Sequence, residues 1–207
     1  MSTSIAPRTY AVITGVSYLI IFFAAIFANF FVIESLISDP LTAVQQDHFY
    51  VRAGIMAFLI TVIFDVVVAW ALYELYRNNT LSVLSTLFRM MHAAIMGVAI
   101  FSLPAVLTLN TSEEILKQVD EFNTIWLIGL FFFGVHLILL ANIIGKPKLI
   151  AFFLLFAGIM YMVDTAAHFV IPTYDNYANT FLLLVAIPSI LGEMSLAIWL
   201  LIKGGRK

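Results

Sequence analysis

Seven ionisable side chains interrupt stretches of this sequence that are otherwise apolar: Asp65, Arg89, His92, His136, Asp164, His168 and Glu193. Carboxylates and imidazoles take up and release protons or ligate cations. In hydrocarbon they are costly: an Asp, Lys or Arg at the centre of a membrane helix costs roughly 2.5–3.5 kcal/mol on insertion scales. Such groups therefore face a bundle interior or water and find partners there. Their spacing supports this. Ala157, Tyr161, Asp164 and His168 follow a 4-3-4 pattern, which places them on one helical stripe, and so do Ser85, Arg89, His92 and Met96.

The chemistry of this set is open to two readings. With the histidines neutral, three carboxylates (Asp65, Asp164, Glu193) stand against one arginine (Arg89), a formal −2. A buried excess of that kind takes protons or binds cations. Proton uptake would make Asp65, Arg89, His136, Tyr161, Asp164 and Glu193 the binding site of a proton-coupled carrier, with Arg89 as the counter-charge. Alternatively, His136, His168, Asp164 and Glu193 would hold a divalent metal such as zinc, whose bound water would be the nucleophile of an intramembrane enzyme acting on a lipid. Three histidines could also ligate haem, although there is no CxxCH motif. HExxH and GxSxG motifs are absent too.

Each residue also has a purely architectural reading. Asp164 and His168 would form an i,i+4 hydrogen-bonded pair, Arg89 would neutralise Asp65 or Glu193, and His92 would be a lone interhelical donor. Tyr161, Trp70 and Trp199 would be packing or interfacial aromatics. Taken together, these make a structural or partner-binding bundle.

The elements that must position these residues are membrane helices. Of 207 residues, 63% are hydrophobic and only 11% charged, and the mean hydropathy is +1.06, well beyond the balance of soluble domains. Six apolar stretches are long enough to cross a bilayer, at about 20 residues each: Tyr10–Ile33, Gly54–Leu75, Leu81–Leu107, Phe122–Ile144, Leu149–Ile171 and Thr180–Ile202. β-barrel strands would be about half as long and would alternate in polarity. The expectation is an all-α bundle of six transmembrane helices forming one domain over residues 1–207, with short connections. The first stretch is too long for a signal-peptide core and reads as an anchor. Neither myristoylation nor prenylation is signalled. The lack of cysteine excludes disulfides, thiol redox chemistry and thiolate metal sites.

Charge sets the expected orientation. Arg8, Arg77, Lys146, Lys148, Lys203, Arg206 and Lys207 fall on one side of the six spans. Only Arg52 and Lys117 fall on the other, among Glu34, Asp39, Asp47, Glu113, Glu114, Asp120, Glu121 and Asp175. Positive residues favour the cytoplasm, so both termini are expected there. The basic rim is too thin for a nucleic-acid site. Counted inward from the outer ends, Asp65, His136 and Glu193 lie about 13–14 residues deep, roughly 20 Å. Arg89 and His92 reach a similar level from the opposite end of their span. Asp164 and His168 lie nearer the outside.

Weak internal similarity accompanies this arrangement. Gly15-Val16-Ser17-Tyr18 resembles Gly158-Ile159-Met160-Tyr161, and the Asp65…Trp70…Arg77 series resembles Glu193…Trp199…Arg206, which hints at related helical hairpins.

Four segments, FRMMHA (88–93), FFFGVHLILL (131–140), GIMYMVD (158–164) and GEMSLAIWLLIKG (192–204), resemble the pattern of a family of small multi-pass bacterial membrane proteins catalogued as domain of unknown function number 4386. The resemblance covers nearly the whole chain. It implies that Arg89, His136, Tyr161, Asp164 and Glu193 belong to the family pattern, together with Arg52 and Asp65, whereas His92 and His168 have no place in it. It implies a location in the bacterial cytoplasmic membrane but brings no activity with it. The leading expectation is a transporter-like or solute-binding protein of the lipid bilayer that handles a small solute or cation.

Overall fold

The computed structural model of the protein describes residues 6–46 and 48–206. Asp47 and Lys207, counted above among the connecting charges, lie outside the described residues. Six helices are long and apolar enough to cross a membrane, and no strand is found among the described residues: span 1 (Pro7–Ser38), span 2 (His48–Tyr76), span 3 (Ser82–Thr108), span 4 (Ser112–Ile144), span 5 (Lys148–Val170) and span 6 (Ala178–Ile202). A short helix, Pro40–Gln46, bridges spans 1 and 2.

Local signals account for the ends. Pro7 sits at the first helical position, where its missing N–H removes nothing. Thr111 caps span 4: its Oγ1 accepts from the backbone N–H of Glu114 at 3.4 Å and donates to the Glu114 carboxylate at 2.7 Å. Span 4 stops at Gly145, whose φ of 58° is a conformation that glycine adopts without steric penalty.

Three spans depart from regular α-helix. Span 1 is π-helical over Phe27–Ile33, and span 3 tightens to a 3-10 helix over Ile100–Thr108, which contains Pro104. Span 6 carries Pro188 and then a π-helical segment, Ile190–Met194. A proline inside a helix removes one donor of the i→i−4 ladder, and a wider turn is one way for the backbone to accommodate such a defect.

Each span packs on the next in sequence, and span 6 returns against span 1, so the bundle closes on itself. Arg8 fastens that closure. Its guanidinium donates to the carbonyls of Leu200 at 2.7 Å and Gly204 at 2.9 Å, and also to the carbonyl of Leu201, occupying the free acceptors at the end of span 6.

The helices run past the apolar stretches at the end opposite the termini, here called the distal end. Span 1 continues to Ser38, span 2 begins at His48, and span 4 begins at Ser112, ten residues before the apolar stretch that starts at Phe122. Span 4 has 33 residues, or about 50 Å of helix against a hydrocarbon core of roughly 30 Å. Hydropathy marks only the part of a helix that meets lipid. The extensions persist because they bury a core of their own, in which Leu36, Val44, Val51, Leu103, Ile115 and Phe122 pack together. A second core at the terminal end holds Ala11, Leu72, Leu137, Leu154, Leu196 and Leu200. Along span 2, Asp65 falls between the two.

Candidate functional site

Arg89 is the largest fully buried side chain, 1% exposed in the middle of the bundle. The Ser85, Arg89, His92, Met96 stripe brings it there, since all four face inward. Three other spans supply its partners. Nη2 donates to Oδ1 of Asp65 at 2.5 Å, and Nη1 donates to the hydroxyl of Tyr18 at 2.9 Å. Nη1 also lies 3.2 Å from Nε2 of His136. The guanidinium carbon stands 4.9 Å from the Tyr18 ring centroid and 5.2 Å from that of Phe133, both within cation–π range. Its Nε is the one buried side-chain nitrogen or oxygen without a hydrogen-bond partner among the described residues.

The histidines of this clasp have defined roles. Nδ1 of His136 lies 2.9 Å from the Ser85 carbonyl oxygen, which can only accept, so Nδ1 carries the proton. Nε2 then has the lone pair and accepts from Arg89. The Ser85 hydroxyl adds a contact at 2.9 Å to Nδ1. By the same reasoning His92 donates from Nδ1 to the Gly129 carbonyl at 2.9 Å, and its Nε2 faces Oδ2 of Asp65 at 3.8 Å.

A separate line of hydroxyls runs between spans 5 and 6. Ser189 donates to Oε1 of Glu193 at 2.7 Å, and the Tyr161 hydroxyl lies 3.0 Å from Ser189 Oγ. Because the single serine proton points to the carboxylate, Tyr161 donates to Ser189. Glu193 sits in the π-helical segment, half-buried, with no salt bridge among the described residues. It lies within electrostatic range of Arg89 and Tyr18. Phe133 joins the two groups, with its ring against Tyr161 at 5.5 Å and also beneath the Arg89 guanidinium.

Asp164 stands apart from both. It is buried, and its Oδ1 accepts from the hydroxyl of Tyr174 at 2.7 Å. Tyr174 belongs to the connection between spans 5 and 6. His168 is exposed and makes an edge contact with the Tyr174 ring, at 4.8 Å between centroids. The i,i+4 pair expected of Asp164 and His168 is thus replaced by two separate contacts to one tyrosine. Burial and the neighbouring Asp164 carboxylate both push the Tyr174 phenol above its ordinary pKa.

The expected single cluster therefore resolves into three parts: Asp65, Arg89 and His136 with His92; Tyr161 and Glu193 through Ser189; and Asp164 with Tyr174. The metal set His136, His168, Asp164 and Glu193 does not assemble. Both His136 nitrogens are engaged, His168 lies at the distal surface, and no group of three or more His, Cys, Asp or Glu side chains capable of holding a metal ion occurs among the described residues. The three histidines considered for haem do not gather: His168 is exposed against Tyr174, whereas His92 and His136 are buried in the middle of the bundle.

Tyr18, Phe133, Ser189 and Tyr174 are site residues that sequence reasoning did not single out for chemistry. Ser189 carried a legible signal, since it stands four residues before Glu193 and so one turn away on the same face. The contacts of Phe133 and Tyr174 depend on tertiary structure, and no spacing announces them.

Comparison with known proteins gives the family of the chain and adds no activity. An uncharacterized protein of Archaeoglobus fulgidus is 30% identical over 157 residues, covering 73% of this chain and 83% of that protein. No solved structure matches the chain. The family described as "Domain of unknown function (DUF4386)" matches residues 13–204, which contain every candidate site residue, and the chain belongs to that family.

Proposed function

We propose that this is a small carrier of the bacterial cytoplasmic membrane, with both termini cytoplasmic, whose exchangeable site is the carboxylate of Glu193. The basic residues gathered at the terminal end support the orientation. The observation that carries the functional reading is the contrast between the buried carboxylate of Asp65 and the half-buried one of Glu193. Asp65 is neutralised by Arg89 at 2.5 Å, whereas among the described residues Glu193 receives only a neutral hydroxyl from Ser189. A carboxylate inside a bilayer without a cation in contact persists by taking a proton or a transported cation. Glu193 also sits where the helix is irregular, on the segment after Pro188, and such interrupted helices are where carriers place their binding groups.

In this reading Arg89, Asp65 and His136 form the fixed frame against which span 6 works. The alternative of a metal-dependent lipid enzyme requires a free lone pair on His136, and Arg89 occupies it.

The direct test is flux in proteoliposomes, driven by a pH or cation gradient and read with an internal pH dye and with cation tracers. Glu193→Gln abolishes flux on this reading. Undiminished flux in that variant removes Glu193 from the mechanism.

A further inference from the structure

We propose that the ion taken up at Glu193 is a proton, and that it enters from the distal side past Asp164 and through the hydroxyls of Tyr161 and Ser189. The inference rests on the carrier reading above and names both the ion and its route.

The coordination available at Glu193 favours a proton. A bare metal cation requires several oxygen ligands, about six or more for calcium. Glu193 offers one carboxylate, with Ser189 already bound to one of its oxygens, and no group of three or more acidic or histidine side chains able to hold a metal occurs among the described residues. An organic cation needs several contacts, and among the described residues the one hydrogen-bond partner of the Glu193 carboxylate is Ser189. A proton needs one lone pair and no added volume.

The route follows from the order of groups along the spans. Tyr161 lies nearer the distal end than Glu193, and the two hydrogen bonds already point inward, from Tyr161 to Ser189 and from Ser189 to Glu193. One turn farther out on the same stripe is Asp164, at the i,i+3 position from Tyr161. Tyr174 covers Asp164. That tyrosine also lines an open depression of about 290 Å³ with His168, Val170, Pro172 and Asp175. The charged and titratable groups facing Glu193 are Arg89 and Asp65 across the bundle, Tyr18 of span 1 and Tyr161 of span 5. Those facing Asp164 are Tyr174 and Tyr161, with His168 against the Tyr174 ring.

The transfer balances. A proton from distal water adds to the Asp164 carboxylate, which passes it through one bridging water to the Tyr161 oxygen. As the phenol receives it, the phenol's own proton moves to Ser189 Oγ, and the serine's own proton moves to Oε1 of Glu193. One hydronium is consumed, Asp164 is again a carboxylate, both hydroxyls keep one proton each, and Glu193 becomes the neutral acid. Rotation of the two hydroxyls resets the line.

The test is a rapid acidification of the distal side of oriented proteoliposomes, with the proton itself as probe. Growth of a protonated-carboxyl infrared band is followed in time, and the band is assigned by its loss in Glu193→Gln. The expected result is a band that reaches its full amplitude in Tyr161→Phe and Ser189→Ala but rises at least about tenfold more slowly. In Ser189→Thr, which restores a hydroxyl at the same position, the parental rate returns; a merely structural role for Ser189 has no such dependence on the hydroxyl. Asp164→Asn slows the rise as well. An assigned band that rises at the parental rate in Tyr161→Phe and Ser189→Ala overturns the route while leaving Glu193 as the proton site. If no band is lost in Glu193→Gln, both the proton and the carrier reading on which it rests are overturned.

Discussion

Arg89 and His136 meet at 3.2 Å, and the carbonyl of Ser85 on the far side of the imidazole decides which of them donates. With Nδ1 committed to that carbonyl, His136 presents a lone pair to a guanidinium that never gives up its charge. The histidine therefore works here as a neutral acceptor that holds the arginine in place. Nitrogen-15 spectra of histidine-labelled protein at neutral pH should show His136 protonated at Nδ1 and bare at Nε2. In Arg89→Met the Nε2 resonance should lose its hydrogen-bond shift while Nδ1 stays protonated. A doubly protonated His136 in the parent protein contradicts the assignment.

The Arg89–Asp65 pair is buried on both sides, with side chains 1% and 6% exposed. Removing one member leaves the other charged and unpaired in a low-dielectric interior. Arg89→Met should therefore cost about 3–5 kcal/mol of stability. Asp65→Leu combined with Arg89→Met should recover most of that loss, because no charge then remains to be solvated. Reversible unfolding of the purified protein in mixed micelles measures both. If the double variant is no more stable than the single one, the loss comes from the aromatic and histidine contacts of Arg89 rather than from its charge.

Gly134 and Gly158 bring the backbones of spans 4 and 5 into close approach: a Cβ on either would lie 2.6 Å from the carbonyl oxygen of the other. Backbone cannot move aside as a flexible side chain can. Gly134→Ala or Gly158→Ala should cost about 1–3 kcal/mol by pushing the spans apart. This should also move Phe133, Tyr161 and His136 relative to one another. Gly97→Ala is the control. Gly97 has nothing within 4 Å of its built Cβ. Alanine there should be neutral or stabilising by up to about 1 kcal/mol. Thermal unfolding of the three variants separates the cases.

The spans were legible because lipid imposes one rule, a run of about 20 apolar residues, and the sequence obeys it six times. The inward stripe of Ser85, Arg89, His92 and Met96 was legible for the same reason, since periodicity records facing. What the sequence did not carry is which polar groups meet across helices. Asp164 and Glu193 are alike as isolated letters, yet one is covered by a tyrosine from a connecting turn and the other is bound by a serine on its own helix. The distal helical extensions were also missed. They are held by caps and by packing between polar-looking segments, and hydropathy averages that signal away.

Tyr174 offers a titration that lies outside the membrane-spanning segments. Burial raises its phenol above the ordinary value near 10, and its hydrogen bond to the Asp164 carboxylate raises it further. A group whose pKa is raised by folding stabilises the fold fully below its unfolded value, and the contribution disappears as pH climbs through the folded one. The connection between spans 5 and 6 should thus stay latched through the alkaline range in which exposed tyrosines ionise, and it should release above that range. Near-ultraviolet absorbance of phenolate, compared between the parent and Tyr174→Phe, isolates this residue as a late-ionising step. Asp164→Asn should move the step back toward 10 only in part, because the larger cause is burial. A Tyr174 step that coincides with the exposed tyrosines in the parent protein shows that the latch does not hold in the membrane.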